Sequence, residues 1–225
     1  MMNHIRSAVK SIRKQRTYAL INITGLTVGL CACLIIATVV IDDLSYDTHW
    51  KRADDIYRIV TVNPMGEGLS ERMASSWAGL APELKKIYPE VESYAPLARG
   101  SFHLKINPVA DAGVQVFSIN TDSAIWEILD LKILSGDPKT YVAGQSNLVI
   151  SESFSKMHFP GTDPIGKIIY DIPPYGEKPQ PYLITGVISD IPGNTHLRAD
   201  VIKIDKRHVE ELNKQQWGTF SQNYI

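Results

Sequence analysis

Charged side chains stop at Arg16 and resume at Asp42. Between them Thr17–Ile41 reads TYALINITGLTVGLCACLIIATVVI, 25 residues without Asp, Glu, Lys or Arg. As an α-helix this run extends about 37 Å at ~1.5 Å per residue, against ~30 Å for the hydrocarbon core of a bilayer. The apolar stretch of a cleaved signal peptide is shorter, about 7–15 residues, and ends at a small-x-small site. This run instead ends at Asp42-Asp43. The pattern predicts a retained transmembrane helix over 17–41. Ahead of it, Ile5, Ala8, Val9 and Ile12 recur at helical spacing, opposite cations. That predicts a basic amphipathic helix within residues 1–16, lying at the lipid headgroups.

Beyond Asp43 the period changes. Ile56–Val62 (IYRIVTV) alternates apolar and polar positions, as a half-buried strand does. Ser75–Tyr88 has helical spacing, with Pro89 as its stop and Pro82 as a kink or a start. Strands are predicted at Val91–Leu97, Ser101–Ile106, Gly113–Ile119, Leu148–Ser151, Ile165–Tyr170, Pro181–Ser189 and Ala199–Ile204, and helices at Ser123–Leu129 and Glu152–Phe159. The Pro/Gly-rich stretch Ile172–Pro181 is predicted as a loop. Mixed strands and helices without strict βαβ repetition predict an α+β domain over 42–225.

Charge divides the chain in the same place. Residues 1–41 hold five cations (Arg6, Lys10, Arg13, Lys14, Arg16) and no acid, so a net charge of −1 overall leaves −6 beyond them. The positive-inside rule then predicts a cytoplasmic N-terminus and an extracytoplasmic bulk. Without a global basic field, nucleic acid is not expected as a partner. The two cysteines, Cys31 and Cys33, lie inside the apolar run and exclude a disulfide-built scaffold. Gly25, Gly29, Cys33 and Ala37 recur every four residues, a small-residue stripe that in lipid lets a second helix approach closely.

Three partial matches to catalytic or ligand-binding patterns do not hold together. Gly161–Ile168 (GTDPIGKI) approaches a phosphate-binding loop, but Pro164 removes an N–H and Ile168 stands where a hydroxyl would hold Mg²⁺. Ser153-Phe-Ser-Lys156 matches S-x-x-K without its S-D-N and K-T-G partners. His4, His49, His103, His158, His196 and His208 include no pair at i, i+3 or i+4. No catalytic residue, cofactor-binding residue or metal ligand is assigned.

Four stretches taken in order resemble the MacB/FtsX-like permeases of ABC transporters. They are Tyr18–Ile36 with its preceding basic segment, Asp43-Leu-Ser-Tyr-Asp47 through Ala53–Ile59, Leu148–Ser153 through Phe159–Lys167, and Tyr182–Leu197. The resemblance implies one transmembrane helix followed by a MacB-like periplasmic core domain in a bacterial cytoplasmic (inner) membrane. It implies no enzyme activity in this chain, ATP and Mg²⁺ only on a cytoplasmic ATPase partner, a second permease copy, and efflux driven by the ATPase. Family members continue to three further transmembrane helices, so the resemblance implies a chain truncated within its periplasmic domain. It marks Tyr46, Asp47 and Tyr57 as links between helix and domain, and Asp163, Pro164, Gly166 and Lys167 as a fold-determining turn. The alternative is a single-pass anchored binding or sensor module.

Overall fold

The computed structural model describes residues 14–64, 70–106, 113–140, 146–173, 178–204 and 220–225. The chain forms two compact units, residues 1–46 and 47–225.

The first unit is dominated by helix α1, Arg16–Leu44. It runs three residues past the apolar segment, because Asp42 and Asp43 continue the last turn before Ser45 N–H caps the carbonyl of Ile41 at 3.0 Å. Among the described residues it is the one helix long and apolar enough to cross a membrane. None of its side chains is buried within the chain. Its hydroxyls are satisfied locally: Thr24, Thr27 and Thr38 donate to the carbonyls four residues back at 2.7, 2.7 and 2.8 Å. Back-bonding of this kind removes the cost of carrying a hydroxyl into hydrocarbon. The amphipathic helix expected over residues 1–16 falls on residues outside those described, apart from Lys14, Gln15 and Arg16, the last of which opens α1.

The second unit is an α+β domain, as the sequence predicts. In chain order its elements are β1 (Thr61–Pro64), β2 (Ser70–Met73), β3 (Ser76–Trp77), α2 (Leu80–Ile87), β4 (Ala95–Lys105), β5 (Val114–Thr121) and α3 (Ile125–Ile128). There follow β6 (Ile133–Gly136), β7 (Ser146–Ser151), α4 (Glu152–His158), β8 (Ile168–Asp171), β9 (Pro181–Ile188), β10 (Val201–Ile204) and β11 (Phe220–Tyr224). Among the described residues, β1 and β2 form a separate hairpin and the other nine strands form one sheet, in the order β3-β11-β4-β5-β10-β7-β9-β6. Strand β8 pairs with both β4 and β9, which joins β4, β5, β10, β7, β9 and β8 into a ring. The pairs β5–β10 and β7–β9 are parallel, and the other pairs are antiparallel.

Period-2 side chains divide between two cores. On β7, Leu148 and Ile150 join Leu104, Val116, Ile169, Ile184 and α4's Phe154 in one cluster. Val149, between them, points to the other cluster, with Trp50, Leu97, Ile119, Ile125, Leu197 and Ile202. A strand buried on both faces reads as the continuous apolar run seen at Leu148–Ile150.

Several sequence expectations shift. Ile56–Val62 is not one strand: the hairpin strand begins at Thr61. Upstream of it, Tyr57 and Ile59 instead hydrogen-bond β11, Tyr57 N–H to Ile225 O and Ile59 N–H to Asn223 O, both at 2.9 Å. The helix expected from Ser75 begins at Leu80, which puts Pro82 in its first turn, where a missing N–H costs nothing. The strands expected on either side of Gly100 are one strand, β4, paired straight through Gly100 to Ser118.

Candidate functional site

Two of the four family-like stretches meet in the second unit, through residues 148 and 149 apart in sequence. Asp47 lies three residues past the end of α1 and adopts φ +58°, the left-handed conformation that Asp tolerates better than most residues. Its backbone N–H donates to Asn194 O at 3.0 Å. Its carboxylate receives the Thr195 hydroxyl on Oδ1 and His196 Nδ1 on Oδ2. His196 Nε2 in turn meets the Tyr224 hydroxyl on β11. Arg58 hydrogen-bonds the Tyr224 oxygen, and Arg99 on β4 donates to His196 O at 2.9 Å.

One proton arrangement satisfies the whole chain. Arg58 donates to Tyr224, Tyr224 donates to Nε2, and Nδ1–H donates to Asp47. This requires a neutral imidazole with its proton on Nδ1 and an ionised Asp47. The electrostatics agree. Burial is the main cause lowering the His196 pKa from its ordinary value, aided by Arg58 and Arg99, while Asp47 opposes the shift. Burial likewise raises the Tyr224 pKa. About a quarter of the Asp47 and His196 side chains remains exposed, at a small cavity of about 190 Å³ bordered by Trp50, Ile56 and Leu129.

Asp47 on Nδ1 and the Tyr224 hydroxyl on Nε2 form a carboxylate–imidazole–hydroxyl relay, but Tyr224 is 4% exposed and burial raises its pKa, which disfavours the phenolate. The Thr195 hydroxyl donates to Asp47 rather than to the imidazole. The network ties the entry of the domain to the 194–197 turn and to β11. A second polar cluster ties β11 to β3: the Asn223 amide donates to Ser76 Oγ at 2.8 Å and Trp77 O at 3.0 Å.

The other singled-out residues lie apart from this network. Gly25, Gly29, Cys33 and Ala37 are exposed on α1, and a Cβ added at either glycine would meet nothing. Tyr46 closes the first unit. Tyr57 pairs through its backbone with Ile225, and the residue is 63% exposed. The Asp163–Lys167 stretch is a turn into β8. Asp163 Oδ1 accepts from Ile165 N–H at 3.0 Å, Pro164 is buried, and Gly166 has φ +79° and donates to Ile184 O at 2.9 Å. Lys167 Nζ bonds the Thr162 hydroxyl at 2.9 Å and sits over the Phe159 ring at 4.9 Å, so it is committed locally rather than aimed at a phosphate. In the S-x-x-K stretch, Ser153 donates its hydroxyl to Asp190 at 2.5 Å, while Lys156 pairs with Glu152 at 2.6 Å. Among the described residues no group of three His, Cys, Asp or Glu is arranged to hold a metal ion.

Reading residue by residue assigns no role to Thr195, His196 or Tyr224. His196 has no ligand-like spacing, and its partners lie 149 and 28 residues away. The available signal was the polar turn Asn194-Thr-His-Leu197 that ends the fourth family-like stretch.

Comparison with known proteins points the same way. Residues 19–224 match the family model described as MacB-like periplasmic core domain. A crystal structure of a domain of a protein provisionally assigned as a permease, from Porphyromonas gingivalis, is similar at TM-score 0.60 and 20% identity. That match covers 78% of this chain and 74% of that one. The periplasmic region of MacB from Actinobacillus actinomycetemcomitans aligns at TM-score 0.49 and 16% identity, over 80% and 74% of the two chains. The extracellular domain of the noncanonic ABC-type transporter YknZ from Gram-positive bacteria aligns at TM-score 0.49 and 19% identity, over 75% and 81%. No curated protein matches the sequence.

Proposed function

Because the chain belongs to the family of MacB-like periplasmic core domains of ABC-type transporter permeases, we propose that it is the N-terminal part of a permease subunit that couples ATP hydrolysis on a partner ATPase to movement outside the membrane, and so to substrate efflux. In this reading α1 spans the bacterial cytoplasmic membrane with the five cations of residues 1–16 inside, and the domain from Asp47 onward is periplasmic. The permease is paired with a second copy or a paralogue, and the Gly25–Ala37 stripe is a packing face against a further helix. ATP and Mg²⁺ belong to the ATPase, and this chain moves without catalysing a reaction.

The observation that carries the reading is the continuous match from the apolar helix through the domain, together with the lock at their junction in sequence. Only Ser45 and Tyr46 separate α1 from Asp47. Asp47 is held by its backbone and by both carboxylate oxygens. A force arriving along the helix therefore meets a residue with little freedom to yield. The test is affinity purification of the full-length gene product from membranes in mild detergent. An ABC ATPase is expected to co-purify in stoichiometric amount. A saturable small ligand on a lone subunit, with no ATPase, would support the anchored binding module instead.

A further inference from the structure

The 190 Å³ cavity beside His196 has a larger neighbour. A trough of about 590 Å³ runs along the Arg52–Tyr57 segment, facing the turn Glu90–Ser93 and α3. Its volume is in the range of natural ligand sites. Ile56, Val91 and Ile128, all half-buried, and the exposed ring of Tyr57 give it apolar walls. Asp55, Glu90, Glu92 and Glu127 bring four carboxylates against the one guanidinium of Arg52, a net charge of −3. Arg52 is already divided between two of them, Asp55 at 3.3 Å and Glu92 at 3.1 Å. Ser93 donates to Glu127 at 2.9 Å, a neutral contact that leaves the charge of Glu127 unbalanced.

The distribution of that charge selects the occupant. Among the described residues no three of these carboxylates converge as metal ligands, so a point cation would leave most of the negative potential unanswered. Carboxylates set apart along an apolar trough are matched by cations set apart along an apolar chain. We propose that this trough docks a basic, apolar-containing peptide segment of a partner polypeptide, with two or more Lys or Arg side chains alternating with aliphatic ones. The proposal does not depend on ATPase coupling, since the trough lies entirely within the second unit.

The test uses the full-length protein in phosphatidylcholine nanodiscs and a fluorescein-labelled peptide, acetyl-Ile-Lys-Leu-Lys-amide, followed by anisotropy. The control peptide has Glu in place of both lysines, and empty nanodiscs supply the background. The expected result is saturable binding of the lysine peptide only, weakened about fivefold in the double variant Glu90→Gln/Glu127→Gln, since two exposed ion pairs are removed. Raising salt from 50 to 500 mM should weaken wild-type binding in the same direction; this arm needs no variant and stands if a variant misfolds. Val91→Arg, which places a tethered cation in the trough, should also reduce binding. Equal binding of the two peptides, or lysine-peptide binding unmoved by salt and by the double variant, would overturn the proposal. Binding only of an uncharged aliphatic control, acetyl-Ile-Ser-Leu-Ser-amide, would do so too.

Discussion

Replacing Asp47 separates two contributions that the structure assigns to one residue. Asp47→Asn keeps the left-handed backbone, which Asn adopts readily. It also keeps one acceptor, but its NH₂ then faces a donor, either the Thr195 hydroxyl or His196 Nδ1–H. One charge-assisted hydrogen bond is lost, about 1.5–3 kcal/mol for a buried pair. With a quarter of each side chain still exposed, about 1.5 kcal/mol is the better expectation. Asp47→Ala loses both acceptors; Asp and Ala both carry a Cβ, so the backbone at φ +58° adds little to the difference. At about 1.5 kcal/mol for each lost bond it should cost about 3 kcal/mol. Unfolding can be followed in the intact protein. All four tryptophans, Trp50, Trp77, Trp126 and Trp217, lie beyond the first unit, so tryptophan emission during urea titration in micelles reports the domain alone. Ala costing no more than Asn, or both variants within about 0.5 kcal/mol of wild type, would refute the reasoning.

Other expectations follow from the same structure. The folded state holds His196 neutral with its pKa lowered, so the stability it contributes is intact above the ordinary value of 6.5 and declines as pH falls below it; His196→Gln should flatten this acid limb in pH-dependent urea titrations. Gly136 has φ +75°, and an added Cβ would collide with Thr185 O and lie 2.8 Å from Ile165 Cδ1. Gly136→Ala should therefore destabilise by more than 2 kcal/mol, against about 1 kcal/mol for Gly161→Ala, whose surroundings are open, as paired thermal melts would measure. Ser151→Ala removes the cap whose hydroxyl accepts Phe154 N–H at 3.2 Å and should cost about 1 kcal/mol in the same melts. Gly25→Ile with Gly29→Ile should leave the domain's melt unchanged but reduce recovery of the assembled complex on size-exclusion chromatography.

The apolar helix, the Leu148–Phe159 strand-helix unit and the Pro181–Ile188 strand were legible because each satisfies a local rule, either length without charge, period 2, or a cap. β6 was not, because Ile133–Gly136 is short, exposed throughout and paired, among the described residues, with β9 alone. β11 was not either: FSQNY carries buried Ser221 and Asn223, whose place in a core depends on partners near Ser76, 147 residues away. The gap expected between Leu97 and Ser101 falls where β4 runs unbroken, with Gly100 paired to Ser118. For the site, Asp47 was legible through its motif. Its network was not, since hydrogen bonds among residues 47, 58, 99, 195, 196 and 224 leave no spacing for a single sequence to display.

In the proposed function, nucleotide turnover on a partner ATPase reaches this domain through α1 and Asp47. Hydrogen–deuterium exchange on the full-length complex, with and without ATP trapped by vanadate, measures it. The prediction is a change in amide protection at residues 47–59 and 193–198 on trapping, abolished by Asp47→Ala. Exchange in both segments that stays the same across nucleotide states, in a complex that still hydrolyses ATP, would contradict it.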